Sequence, residues 1–232
     1  MSGPQAAKSA AKLRIGVLAS GRGSNLQAII DAIDAGTLKA KIVAVISNKK
    51  EALALERARK HGLPDVYLDP KPYLSQSENK EETRRAYDRA ILEVLQKHQT
   101  ELVVLAGYLR IVTPVLISAY PHRMINIHPS LLPAFPGLEV QKKALEWGVK
   151  ISGCTVHFVT EGVDDGPIII QAAVPILEHD TADTLAARIL EQEHKIYPHA
   201  IQLYAEGRLR VDGRRVVVTG AGETSGAIIS PA

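Results

Sequence analysis

Leu13-Arg14-Ile15-Gly16-Val17-Leu18-Ala19 runs straight into Ser20-Gly21-Arg22-Gly23-Ser24-Asn25, and this junction decides the fold class. The first stretch is a short aliphatic run ending in a Gly/Ser loop, the pattern of a buried strand. Leu26, Ile29, Ile30 and Ile33 then recur at helical spacing, and Gly36 closes that helix. Working outward, Ile42–Ile46 is a second strand, Glu51–His61 a helix and Val66–Leu68 a short third strand. Asp69–Asn79, with its Pro, Ser and Asn residues, reads as a surface loop. Lys80–His98 is a charged amphipathic helix, and Leu102–Ala106 is a strong central strand. Strands that alternate with helices, each strand almost continuously apolar, predict an α/β fold with a mostly parallel sheet and helices on both faces.

The second half changes rhythm. Thr113–Tyr120 is a short helix opened by Pro114, a favourable first-turn residue. Met124–Ile127 is a strand that enters His128-Pro129-Ser130-Leu131-Leu132-Pro133-Ala134-Phe135-Pro136-Gly137, too rich in proline to be helical. Val140–Trp147 is helical; Ser152–Thr160 and Ile168–Ile176 flank a Gly/Asp/Pro turn and read as an antiparallel pair. Thr181–Glu206 is a long helix with Asp180 available as its N-cap, and Pro198 is expected to kink or interrupt it. Leu209–Val211 and Val216–Val218, joined through Asp212-Gly213, predict a terminal hairpin. With no internal repeat and no linker, the expectation is one Rossmann-like domain over 13–218 with an antiparallel C-terminal portion. A disordered tail is expected over 1–12 and a loose one over 219–232.

Composition narrows the function. The 232 residues allow one or two domains at about 150 residues each. Lys+Arg 28 against Asp+Glu 25 leaves +3, too little to imply a nucleic-acid partner, and aromatic residues at 4% offer few rings for base stacking. The single cysteine, Cys154, excludes a disulfide framework and a cysteine-based zinc site. No apolar run approaches the ~18 residues of a membrane span, and the run after Arg14 is too short for a signal-peptide core, so the cytoplasm is the expected location.

Three features can carry chemistry. The Ser20–Asn25 loop joins a strand to a helix, where backbone N–H groups and glycines make an anion site or simply a tight turn. A third fingerprint glycine is missing, since Leu26 stands there, and the second strand ends in Ser47-Asn48-Lys49 rather than an acid. The Walker Gly-Lys-Ser/Thr is also absent. A phosphate monoester therefore fits better than NAD or ATP. Second, alternation puts Asn126 and His128 on one side of a strand that Pro129 ends, at the sheet edge where ligands bind. An amide donor beside an imidazole can stabilise an oxyanion and move a proton, though a hydrogen-bonded structural histidine fits the same residues. Third, Asp164-Asp165-Gly166-Pro167 is an acidic turn; a carboxylate from it could orient His128, or the turn could be only solvated. No His-Glu-x-x-His pair and no Gly-x-Ser-x-Gly elbow occurs.

Taken together, these stretches and their order resemble the phosphoribosylglycinamide formyltransferase family. The matching segments are ASGRGSNLQAII, ISNKKEALALERARKHG, VVLAGYLRIVTP, INIHPSLLPAFPG, VHFVTEGVDDGPIIIQ and EHKIYPHAIQL. The resemblance implies a catalytic trio of Asn126, His128 and Asp164. It implies that Gly23, Ser24 and Asn25 hold a substrate phosphate and that Glu193 binds ribose hydroxyls. It assigns 10-formyltetrahydrofolate as co-substrate, with no metal, to Tyr108, Leu109, Arg110, Ile111 and Val112 and to the loop of Val159, Thr160, Glu161, Gly162 and Val163. Arg84 would meet the folate's glutamate tail, and the Leu132–Pro133 bond would be cis. Leu190 and Ala134 depart from the Gln or Lys and the Lys of some members.

The implied reaction is attack of the glycinamide ribonucleotide amine on the formyl carbon in purine biosynthesis. Partners are then small molecules; a homodimer is left open. Formyltetrahydrofolate hydrolase is the rival with the same chemistry. Its family carries an extra N-terminal domain and lacks this glycine loop. A catalytically silent phosphoribosyl- or folate-binding module is the rival of another class.

Overall fold

In the computed structural model, which describes residues 11–74, 79–220, 222 and 230, the opening aliphatic run is β1 (Leu13–Ala19), and Ile15, Val17, Leu18 and Ala19 are wholly shielded from solvent. β2 (Ala40–Ser47) and β4 (Leu102–Leu105) flank it, both parallel to it. β3 (Asp65–Tyr67) lies beyond β2 and β5 (Met124–His128) beyond β4, again parallel. The order β3-β2-β1-β4-β5 therefore reverses at β1. Loops leaving β1 and β4 diverge at such a reversal and open a crevice at the strands' carboxyl ends.

Alternation along these strands feeds two cores. Ile15, Val17 and Ala19 join α1 (Ser24–Asp34), α2 (Leu53–Lys60) and α7 (Ala182–Ala205) on one face. Leu18, Ala44 and Ile46 join α4 (Lys80–Lys97) and α5 (Pro114–Ala119) on the other. Helices on both faces explain why the parallel strands are apolar throughout rather than alternating.

The sheet changes sense after β5. β6 (Ile151–Phe158) is antiparallel to β5 and to β7 (Ile168–Pro175), with α6 (Val140–Glu146) preceding it. β8 (Leu209–Asp212) and β9 (Arg215–Val218) form the expected hairpin, joined to β7 through a parallel bridge between Ile168 and Arg215. Thr219, placed in the tail by sequence, extends the hairpin: its N–H donates to the Arg208 carbonyl (2.9 Å). Most of the tails expected at 1–12 and 219–232 lies outside the described residues. No helix among the described residues is long and apolar enough to cross a membrane.

Three local expectations are corrected. Part of the 69–79 loop is a single helical turn, α3 (Lys71–Leu74), begun where Asp69 Oδ1 accepts from the Lys71 N–H (3.0 Å); residues 75–78 are outside the described set. The N-cap of α7 is Thr181, not Asp180. Thr181 Oγ1 accepts from the Thr184 N–H (3.2 Å) and Thr184 Oγ1 accepts from the Thr181 N–H (2.9 Å), a reciprocal box. Asp180 is instead held by the Arg188 guanidinium at 2.7 and 2.8 Å. Finally, α7 continues through Pro198 to Ala205 without interruption. Proline removes one backbone donor, but Tyr197, Pro198, Ala200 and Ile201 are all buried, and that packing carries the helix across the lost bond.

Tyr197 also pins the helix to the sheet. Its hydroxyl lies 2.9 Å from the Leu105 carbonyl on β4 and 3.1 Å from the Ile125 carbonyl on β5, sharing one proton between them. Tyr197→Phe should lower unfolding free energy by about 1–2 kcal/mol, because two buried acceptors lose their donor. Urea denaturation checks this as a lower midpoint at constant slope; an unchanged midpoint would mean that the hydroxyl contributes nothing.

Candidate active site

The chain leaves β1 into the glycine loop. Gly23 has φ 70°, and a Cβ there would stand 2.8 Å from the Ala54 Cα, so only glycine lets α2 come this close. Gly23 is the N-cap of α1 and supplies no side chain, so the first N–H groups of α1 have no side-chain cap. Ser24 is half-buried at the mouth. Asn25, expected to hold the phosphate, gives an amide hydrogen from Nδ2 to Glu193 Oε2 on α7 (2.7 Å), and its Oδ1 is buried with no hydrogen-bond partner among the described residues. Burial pushes the Glu193 carboxyl up, and the Asn25 amide opposes this only in part. Leu190 sits half-buried one turn before Glu193.

Asn126 and His128 lie on β5, opposite His157 and Thr155 of β6. The proline-rich segment is tied down by a buried network. Thr155 Oγ1 donates to the Ser130 carbonyl (2.7 Å) and accepts from the Leu132 N–H (3.0 Å), while Gln171 Nε2 donates to the Leu132 carbonyl (2.9 Å). The Leu132–Pro133 bond is cis. This fold-back brings the Phe135 carbonyl to 2.9 Å from His128 Nε2. A carbonyl only accepts, so Nε2 carries a proton.

The acidic turn folds over the same face. Asp164 has φ 52°, and its Oδ2 lies 3.3 Å from His128 Nδ1 and accepts from the Gly137 N–H (2.8 Å). Phe135 O thus faces one ring nitrogen of His128 and Asp164 the other. Gly166 makes the turn possible, since a Cβ there would collide with the Phe158 carbonyl oxygen. Arg214 steadies the turn from outside through Asp165 Oδ1 (2.9 Å). Asn126, His128 and Asp164 are thus brought together, although the chain separates the first from the last widely.

Sequence reading passed over His157. Its Nδ1 donates to the Phe158 carbonyl (2.9 Å), which leaves Nε2 to accept from Asn126 Nδ2 (3.2 Å) and places it 3.8 Å from Asp164 Oδ1. A lone histidine in an apolar strand was the only signal; its meaning depends on the β5–β6 register. Cys154, by contrast, is buried, and its thiol is pushed up to about 12 by desolvation, so it is a packing residue.

The segments expected to receive folate converge on the second core. Tyr108, Val112 and Val159 all pack against it. Leu109, Ile111 and Val163 remain exposed at 64%, 54% and 55%. Arg110 lies over the Tyr87 ring (4.6 Å to its centre). Thr160 is half-buried, Glu161 and Gly162 are exposed, and Arg84 is exposed one turn before Asp88 on α4.

With this geometry in place, residues 13–201 match the Formyl transferase family profile. The chain belongs to the formyl transferase family. Among family relatives, it is 44% identical over 211 residues to a phosphoribosylglycinamide formyltransferase of Escherichia coli, spanning 88% of this chain and 96% of that protein. The crystal structure of glycinamide ribonucleotide transformylase 1 from Symbiobacterium toebii superposes with TM-score 0.86 at 52% identity, over 94% of this chain and 99% of that one. A formyltetrahydrofolate deformylase from Pseudomonas syringae also shares the fold, with TM-score 0.80. It is only 28% identical, and the match spans 89% of this chain and 66% of that one.

Burial holds the His157 imidazole below its ordinary range. The unfolded chain therefore takes up that proton first as pH falls, and stability drops below about pH 6.5 until the folded group titrates too. His157→Gln should weaken this acid sensitivity. Thermal unfolding at about pH 7.5 and 5.5 checks it: an equal fall in melting temperature in both proteins would remove His157 from the effect.

Proposed function

We propose that the chain transfers the formyl group of 10-formyltetrahydrofolate to the amine of 5-phosphoribosylglycinamide, as a phosphoribosylglycinamide formyltransferase of purine biosynthesis acting in the cytoplasm. The observation that carries this reading is the meeting of Asn126, His128 and Asp164 over one face of β5, next to a glycine loop and helix N-terminus suited to a phosphate. The high identity to phosphoribosylglycinamide formyltransferases favours this over the deformylase reading.

The residues then divide by task. Backbone N–H groups at the start of α1, with Gly23, Ser24 and the second amide hydrogen of Asn25, receive the phosphate. Asn25 fixes Glu193, which accepts from the ribose hydroxyls. The exposed apolar side chains of Leu109, Ile111 and Val163 take a flat heterocycle, and Arg110 and Arg84 suit an acidic tail.

The amine attacks the formyl carbon, forming a C–N bond and a tetrahedral oxyanion. Asn126 gives one amide hydrogen to His157 and has a second for the oxyanion. His128, protonated between Phe135 O and Asp164, donates beside it by releasing one of those partners. Asp164 holds the charge of that imidazolium and helps the ammonium proton, through water, to the departing folate nitrogen as the old C–N bond breaks. Phosphate and folate-tail contacts far from the reacting carbon supply positioning.

The deciding assay supplies purified protein with 10-formyltetrahydrofolate, with and without the amine. Turnover that requires the amine supports the proposal; equal folate turnover without it identifies a hydrolase. Asn126→Ala should lower kcat by about 10²–10³ with little change in amine affinity, since its donor acts on charge that develops only in the transition state. Ser24→Ala should mainly raise KM for the phosphorylated amine. The reverse pattern would exchange the roles of the two sites. Asp164→Asn should lower activity and shift its pH profile, because the charge beside the imidazole is lost.

A further inference from the structure

The stretch from Gly107 to Val112 has irregular backbone and presents Leu109 and Ile111 to solvent, yet it is held at both ends by buried side chains from elsewhere in the chain. At its start, Ser20, 1% exposed at the end of β1, accepts the Leu109 N–H on its Oγ (3.0 Å) and donates from that hydroxyl to Asn48 Oδ1 (2.7 Å). The Ser20 N–H also donates to the Gly107 carbonyl (3.0 Å). At its end, Asp88 of α4, 2% exposed, accepts the Thr113 N–H on Oδ2 at 2.6 Å. Between the two, Arg110 rests on Tyr87, whose own hydroxyl donates to the Leu68 carbonyl (2.8 Å).

We propose that Ser20 and Asp88 are positioning residues for folate, clamping Gly107–Thr113 in its receiving shape before the ligand arrives. The inference rests on the assignment of this segment to folate. Its physical basis is entropic and electrostatic. Ordering free backbone costs about 1–2 kcal/mol per residue, and a segment ordered in advance spares the ligand that cost. The Asp88 bond is charge-assisted, stronger than a neutral one. Desolvation pushes the Asp88 carboxyl up, while the Thr113 N–H and the Arg110 charge pull it down. This buried carboxylate meets the segment where α5 begins.

The test uses the full chain with Ser20→Ala, Asp88→Ala and Asp88→Asn. Binding of tetrahydrofolate, the reaction product, is measured by calorimetry, and KM is measured for both substrates. Losing one clamp should weaken tetrahydrofolate binding and raise the folate KM about tenfold, with the amine KM changed at most about twofold. Asparagine keeps an acceptor for the Thr113 N–H but not the charge, so Asp88→Asn should recover part of the loss. Should Asp88→Ala fail to fold, Ser20→Ala and Asp88→Asn carry the test. A merely structural role predicts lower melting temperatures with unchanged tetrahydrofolate affinity, or equal rises in both KM values, and either result overturns the proposal. Wild-type protein that binds no tetrahydrofolate overturns the folate assignment as well; wild-type binding that no variant weakens overturns the clamp alone.

Discussion

β5 lies between a parallel and an antiparallel partner, and the candidate site depends on that switch. β4 sets Asn126 beside Leu105, at the level where the parallel strands end; β6, running the other way, sets His157 beside Asn126 and Thr155 beside His128. β6 and β7 are antiparallel as well, so the short stretch 159–167 joins them with no crossover. The antiparallel return lets residues 159–167 fold directly back over β5, which is how Asp164 arrives at His128. Thr155 then secures the proline-rich segment whose Phe135 carbonyl sets the proton on His128.

The two ends of the crevice are built by different means. On the glycine-loop side, the helix N-terminus supplies donors without side chains, and the buried Asn25–Glu193 pair ties α1 to α7 across 168 residues of chain. On the β4 side, irregular backbone carries exposed apolar residues, and its N–H groups at Leu109 and Thr113 donate to Ser20, just past β1, and to Asp88 of α4. Ser20 belongs to both, since it follows β1 into the glycine loop while its hydroxyl holds Leu109. The switch in strand order at β1 is what makes these two loops neighbours.

Several buried polar side chains in this protein serve backbone groups near the ends of strands and helices. Tyr197 reaches the carbonyls of Leu105 and Ile125, Thr155 serves Ser130 and Leu132, and Asp88 serves Thr113. Each gives a hydrogen bond to, or accepts one from, a main-chain group from another part of the chain. Rigid strand ends follow, and the side chains projecting from them keep their spacing.

Sequence by itself determined the layered architecture. Near-continuous apolar runs, helical spacing between them and the change of rhythm in the second half are local signals, and local signals select strands and helices. It also placed Asn126 and His128 on one side of their strand, because residues two apart on a strand must share a face. What lay beyond it were pairings between distant segments. Which cap closes α7, whether Pro198 breaks it, that His157 faces Asn126, that Asn25 bonds Glu193 and that Asp88 holds Thr113 all depend on which surfaces meet. Tertiary structure alone decided these, because register and packing set the distances between residues that the chain keeps far apart, and hydrogen bonds and charge interactions act only across those short distances.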